Sequence, residues 1–386
     1  MTTDIRVPAV LKIGAGAFHE AAGVLSSLKC ARPLVVTDAF LAGSGLAGKL
    51  RDQIVSSGLH CEVFAGVVAD PTTEAVDQGV RAFSEGGHDS LVSLGGGSSI
   101  DTAKAIGLLV ANGGRISDYK VPKPIPVTGP PHVAIPTTAG TGSEVSRFTV
   151  ISDSATEEKM LIAGGALVPS AAVVDYELTI SMPKRLTADT GTDSLTHAIE
   201  SYVSRKANAF SDVFALSAMK TIWAELPIAY HQPDNRAARE AMMLAATLAG
   251  IAFSNASVAL VHGMSRPIGF FFHVPHGLSN AMLLPAVTRY SAEAAPARYA
   301  DCARAMGIAA PDDSNDTAVN MLIEGLFRRN EELEVPSPRR FGIAESRYFE
   351  VIPTMAKQAL ASGSPQNNPR VPSGEEIEQL YRELWQ

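Results

Sequence analysis

The sequence predicts an α/β half followed by an all-helical half, divided as residues 1–182 and 183–386. Three observations predict it. Up to about residue 180, short β-branched apolar runs alternate with helical stretches, the pattern of a parallel sheet covered on both faces. After about residue 185 the strand signal stops and apolar residues recur at helical spacing. A length of 386 residues also exceeds what one ordinary core holds, so two domains are expected.

Strands are expected at 33–38, 61–64, 90–94, 132–136 and 171–175, with helices over 75–86 and 100–112 between them. Ligands of such sheets bind beyond the C-terminal strand ends, where Asp38 and the glycines at 95–97 fall. In the second half, Leu195, Ile199, Tyr202 and Val203 mark one helix, and Met242, Leu244, Ala245, Leu248 and Ile251 another. Ser373 and Glu376 form a capping-box pattern ahead of Ile377, Leu380, Tyr381 and Leu384. Polar loops are expected near 153–158, 311–316 and 361–374.

Composition narrows the function. The chain is 46% hydrophobic and 19% charged, as a compact globular protein is. A net charge of −8 argues against nucleic acid or an anionic membrane as partner. Cys30, Cys61 and Cys302 are scattered without a CxxC, which fits a reducing compartment rather than a disulfide framework. The N-terminus lacks a signal-peptide pattern, and no stretch approaches the ~20 apolar residues of a membrane span. A cytoplasmic protein is expected.

Gly95-Gly96-Gly97-Ser98 follows a strand and precedes a helix expected to begin near Asp101. Glycines let the backbone approach a diphosphate, and a helix start offers free N–H groups. The alternative is a tight turn that binds nothing. A second segment, Pro136 to Glu144, is dense in short hydroxyls that suit ribose or phosphate, or make an ordinary polar loop. Candidate cofactor contacts in the two segments are Gly96, Gly97, Ser98, Asp101, Thr137, Thr138 and Thr141. Asp38 suits the adenosine ribose hydroxyls and would repel a 2′-phosphate, favouring NAD over NADP; a helix N-cap is the other reading. Gly14-Ala15-Gly16 begins like a dinucleotide fingerprint, but His19 fills the third glycine position, so it is read as a turn.

Asp193 and His197 stand four apart, on one side of a helix. His262 is expected within a helical run of small residues, 257–261, and His276 lies between Pro275 and Gly277. One carboxylate and three imidazoles complete a shell for Fe²⁺, Zn²⁺, Mn²⁺ or Co²⁺. The simpler alternative is an Asp–His hydrogen bond with two structural histidines. A metal together with a dinucleotide points to a metal-assisted redox enzyme.

These motifs, in order, resemble those of the iron-containing (group III) alcohol dehydrogenases: Gly-Gly-Gly-Ser then Asp-Thr-Ala-Lys-Ala, Pro-Thr-Thr-Ala-Gly-Thr-Gly-Ser-Glu, Asp-Ser-Leu-Thr-His-Ala-Ile-Glu, and His-Gly-Met before Pro-His-Gly-Leu-Ser-Asn-Ala. The resemblance runs from about residue 5 to the end. It implies a Rossmann-like N-terminal domain, a helical C-terminal domain of the dehydroquinate synthase-like kind, and a cleft between them. It puts Asp193, His197, His262 and His276 at the metal, and Asp38, Asp70, Gly97, Ser98, Thr137, Thr138, Ser146, Phe148, Lys159 and Leu178 at the cofactor. Asp70 stands where Asn is usual.

A second departure concerns the substrate. Relatives such as lactaldehyde reductases often carry a histidine one turn after the first C-terminal metal histidine, and the resemblance implies a role near the nicotinamide or in proton transfer. This chain has Arg266 there, and His273 is the candidate replacement. Arg266 and Arg147 either bind an anionic substrate group or serve salt bridges or cofactor phosphates. Phe253 forms an apolar substrate wall or packs in the core. The expected activity is hydride transfer between a small primary alcohol, or a hydroxy acid, and nicotinamide. It would use NAD with NADP as alternative, Fe²⁺ with Zn²⁺ as alternative, and a homodimer. Three other readings stay open: a metal- and NAD-dependent lyase of the dehydroquinate synthase type, a reductase specific for an anionic oxo-acid, and a non-catalytic NAD-binding protein.

Overall fold

A computed structural model describes all residues except Met1, Ser154 and Glu157. The chain forms two compact units, one of Ile5–Ser181 and one of Met182–Gln386 joined by residues 2–4. The first unit contains β1 (Val10–Ile13), α1 (Ala21–Ser27), β2 (Pro33–Asp38), α2 (Ala39–Gly43), α3 (Leu46–Ser56), β3 (Glu62–Val67), α4 (Thr73–Glu85), β4 (Ser90–Gly95), α5 (Gly97–Asn112), β5 (His132–Pro136), β6 (Phe148–Asp153), β7 (Glu158–Ala163) and β8 (Ala171–Val174). Six strands make a parallel sheet in the order β1-β8-β5-β4-β2-β3. Alternate side chains feed two cores, as the strand period requires. Val35, Val92, Leu94, Val133 and Ile135 pack with Leu25, Leu50 and Ile54 on one face. Leu34, Val36 and Leu91 pack with Val76, Phe83 and Ile106 on the other.

The α/β alternation is as expected, with three corrections. β1 was not anticipated: Leu11 and Ile13 are exposed on a sheet edge, so its sequence carries no buried run. The antiparallel ribbon β6–β7 was not anticipated either; Ala155 and Thr156 turn between its strands within the expected polar loop near 153–158, and Ser154 and Glu157 lie outside the described residues. Helix α5 begins at Gly97, not near Asp101. Glycines read as loop by propensity, yet Ile100 N–H already bonds to the Gly96 carbonyl at 3.3 Å. The Gly14–Gly16 segment is a turn, as read, with φ of 132° and 74° at its glycines.

The regular elements of the second unit's described residues are all helices: α6 (Lys184–Val203), α7 (Ala209–His231), α8 (Arg236–Ala256), α9 (Leu260–Phe272), α10 (His276–Ala292), α11 (Pro296–Ala305), α12 (Asn315–Glu332), α13 (Pro338–Phe341), α14 (Glu345–Ala361) and α15 (Gly374–Leu384). The capping box at the head of α15 is present, with Glu376 N–H donating to Ser373 Oγ and Ser373 N–H to the Glu376 carboxylate. Helix α6 is buried on every side from Thr187 to Val203 although it carries Asp189, Asp193, His197 and Glu200. Polar side chains there must be satisfied by neighbours. No single described helix is long and apolar enough to cross a membrane; α8 and α9 qualify only as a pair bent by 105°.

Candidate metal centre and dinucleotide cradle

Three helices of the second unit converge on one point. α6 brings Asp193 and His197 one turn apart, α9 brings His262, and α10 starts on His276. Gly277 permits the approach of α10 to α6: a β-carbon there would collide with the Asp189 backbone carbonyl and lie 3.3 Å from Asp193 Cβ. The Nε2 atoms of His197, His262 and His276 stand 3.7, 3.4 and 3.8 Å from Asp193 Oδ1. Bonds of about 2.1 Å in a tetrahedral site place ligand atoms about 3.4 Å apart, so this spacing fits a metal ion. The ligand atoms of Asp193, His262 and His276 also lie within 4.8 Å of one another. Asp193, His197 and His262 are buried, while the His276 side chain is 38% exposed, so the cage opens on that side. Burial opposes ionisation of Asp193, but the three imidazoles outweigh it and hold its carboxyl far below the usual range.

Two residues missed by sequence reasoning complete the surroundings. Glu200 accepts hydrogen bonds from Ala259 N–H at 2.9 Å, Val261 N–H at 2.6 Å and His262 Nδ1–H at 2.6 Å. A carboxylate only accepts, so Nδ1 carries the proton and Nε2 is left bare toward the cage. Asn280 follows His276 by one turn and donates Nδ2–H to Asp193 Oδ1 at 2.7 Å, with Nδ2 3.1 and 3.3 Å from the Nε2 atoms of His262 and His276. Its Oδ1 is buried without a partner. A Glu inside a fully buried helix, and an Asn four residues past a candidate ligand, were the available signals.

Other expectations are revised here. Residues 257–259 are not helical; Ser257 has φ 65°, and α9 starts at Leu260. Phe253 lies on α8, is 6% exposed, and stacks on His197 with ring centroids 4.2 Å apart. It packs on a candidate ligand within the core, the packing role being one of the two readings left open by the sequence. His273 ends α9 in the left-handed region at φ 53°, is exposed, and makes no hydrogen bond or ion pair among the described residues. Nothing ties it to the cage. Arg266 is buried and donates to Ser364 Oγ at 3.0 Å.

In the first unit, β2, β4 and β5 are neighbours, and the strand order reverses at β2 and β4. Gly95 and Pro136 end adjacent strands in register, and Thr137 N–H bonds to the Gly95 carbonyl. The two polar segments therefore emerge side by side. A β-carbon on Gly97 would lie 3.0 Å from Thr141 Cγ2, and one on Gly96 3.4 Å from Thr138 Oγ1. Thr138 Oγ1 and Ser99 Oγ are buried without protein partners, as expected of hydroxyls that await a ligand. Gly96, Gly97, Ser98, Thr137, Thr138 and Thr141 all belong to this cradle, at the N-terminus of α5. Asp38 caps α2 by accepting from Leu41 N–H at 2.8 Å, at the end of β2 next to the cradle.

Six further candidates are engaged within the protein. Asp101 lies one turn inside α5, and its carboxylate accepts from Ser143 Oγ at 2.5 Å and Val150 N–H at 2.9 Å. It anchors a loop rather than reaching a ligand. Lys104 Nζ donates to Ser146 Oγ, Ser146 O and Phe148 O, which fixes Ser146 and Phe148 in that loop. Burial pushes the Lys104 ammonium down to about 8, with Asp101 and Glu144 pulling the other way. Lys159 pairs with Asp70 at 2.6 Å, and Asp70 sits at φ 53°. Leu178 packs against the core beneath α1 and α3.

A parallel sheet with a glycine cradle at its reversal point, and a helical unit with an Asp–His₃ cage, define a metal- and dinucleotide-dependent dehydrogenase. The chain belongs to the iron-containing alcohol dehydrogenase family. The family's profile matches residues 8–176, and that of the Fe-containing alcohol dehydrogenase C-terminal region matches 187–385. The NAD-dependent methanol dehydrogenase of Bacillus methanolicus is 39% identical over 381 residues, covering 98% of this chain and 99% of its own. The lactaldehyde reductase of Escherichia coli K12 is 37% identical over 358 residues, covering 92% of each. A 1,3-propanediol oxidoreductase crystal structure superposes with a TM-score of 0.94 at 34% identity over the whole of both chains. The chain is thus, by family, an iron-containing alcohol dehydrogenase.

Proposed function

We propose that this enzyme interconverts small primary alcohols, or hydroxy acids, and their carbonyl forms, as a cytoplasmic homodimer. The Asp193–His197–His262–His276 cluster, with its imidazole Nε2 atoms 3.4–3.8 Å from Asp193 Oδ1, carries the reading. When bound there, the cation supplies Lewis acidity toward a substrate oxygen, and NAD serves as hydride acceptor. The protein's own part is positional. Glu200 fixes the His262 tautomer, Phe253 and Asn280 hold His197 and Asp193, and the half-exposed His276 marks where substrate enters. Gly96, Gly97 and the free Thr138 hydroxyl receive the dinucleotide phosphates.

The sequence names of relatives favour dehydrogenase over lyase chemistry. Free, buried cysteines suit a reducing compartment, and the exposed β1 edge offers a surface for self-association. His262→Ala tests the central reading: metal content by elemental analysis and turnover by NADH absorbance should both be lost while the helical circular-dichroism signal persists. Full turnover in that variant would remove the cage from the mechanism. Light scattering that gives the monomer mass would remove the dimer.

A further inference from the structure

We propose that Arg266 makes this dehydrogenase selective for short substrates that carry an anionic group, carboxylate or sulfonate, a few atoms from the reacting oxygen. The inference rests on the function proposed above and names its substrate class. Arg266 is 6% exposed, yet among the described residues its five N–H donors meet a single acceptor, the neutral Ser364 hydroxyl. Its Nε is buried without a partner, and among the described residues no carboxylate lies within ion-pair distance. Glu200 is the acid that acts on it at longer range, but both Glu200 oxygens are taken by Ala259, Val261 and His262.

A guanidinium buried with its charge uncompensated is unfavourable, and an anion bound in the fork relieves it. The sequence left a salt bridge as the plainer role for this arginine, and the structure provides none. Position supports a ligand. Arg266 follows His262 by four residues on α9, so both side chains leave nearly the same side of the helix, about 6 Å apart along its axis. That separation matches a chain of two to four carbons between a hydroxyl at the cage and a carboxylate or sulfonate at the fork. The segment after α14 clamps the arginine from behind: Ser364 is 2% exposed, and Pro365 packs so closely on α9 that a β-carbon at Gly263 would lie 2.8 Å from its Cγ. The guanidinium therefore has little freedom to escape to solvent.

Matched substrate pairs test this on the iron-reconstituted full chain with NAD. They are 3-hydroxypropanoate against 1-propanol, 4-hydroxybutanoate against 1-butanol, and 2-hydroxyethanesulfonate against ethanol. Wild type should favour the anionic member of at least one pair by about tenfold or more in kcat/KM, and the pair that responds separates carboxylate from sulfonate. Arg266→Met should collapse that ratio, with the larger change in KM, and Arg266→Lys should restore part of it. Propanoate or ethanesulfonate should also inhibit wild type competitively and the Met variant far less. A wild type that prefers the neutral member of every pair overturns the proposal, whether or not the variants fold. So does an unchanged ratio in Arg266→Met. If wild type turns over no alcohol at all, the dehydrogenase reading falls as well, which marks that failure apart from the loss of anion selectivity alone.

Discussion

Glu200 shows how one side chain governs a centre it does not join. Its three accepted hydrogen bonds pin the first turn of α9 and the His262 ring together. Losing the charge while keeping the shape should loosen metal binding without dismantling the helix. We expect Glu200→Gln to weaken iron affinity by about 10–100-fold, read by chelator competition, with little change in helical content. An affinity equal to wild type would mean that the backbone alone sets the ring. The four cage residues were legible because their chemistry is rare and because Asp193 and His197 stand one helical turn apart. Glu200 and Asn280 were not, because each acts across tertiary contacts between α6, α9 and α10. His273 and Asp101 went the other way: near the right segments in sequence, they are respectively turned to solvent and absorbed into a loop anchor.

Elements were read best where pattern and propensity agree, as for the capping box before α15 and the buried strands β2, β4, β5 and β8. They were read worst where glycine hides a helix start, at α5, and where an edge strand or ribbon lacks a buried run, at β1 and β6–β7. The turn from β4 to α5 also sets the most exact requirement. Gly97 faces Thr141 so closely that a β-carbon there would press on the Thr141 side chain at 3.0–3.3 Å, and Thr141 must give way to admit it. Gly97→Ala should therefore raise the dissociation constant for NADH by about tenfold or more, followed by nicotinamide fluorescence. Iron content should stay close to that of wild type, since the cage belongs to the other unit. Equal NADH affinity would show that the loops yield without loss.

At the scale of the molecule, the division into an α/β unit and a helical unit was legible from periodicity alone. Strand order was not, since no local pattern says that β8 lies between β1 and β5. Metal binding should stabilise the helical unit by mass action. Stripping iron with a chelator should remove about 4 kcal/mol if the ion is present at a thousandfold over its dissociation constant, seen as a lower calorimetric midpoint. A midpoint indifferent to the chelator would separate the cage from folding. The three thiols have a use of their own. Cys30, Cys61 and Cys302 are 5%, 7% and 0% exposed, and burial pushes the Cys61 thiol up to about 12 and the others upward. An alkylating reagent thus finds no reactive thiolate in the native enzyme. Two of the sulfurs lie in the first unit and one in the second. The position of the mass label after a timed pulse therefore names the half that opened, and the protein carries its own unfolding gauge without an engineered probe.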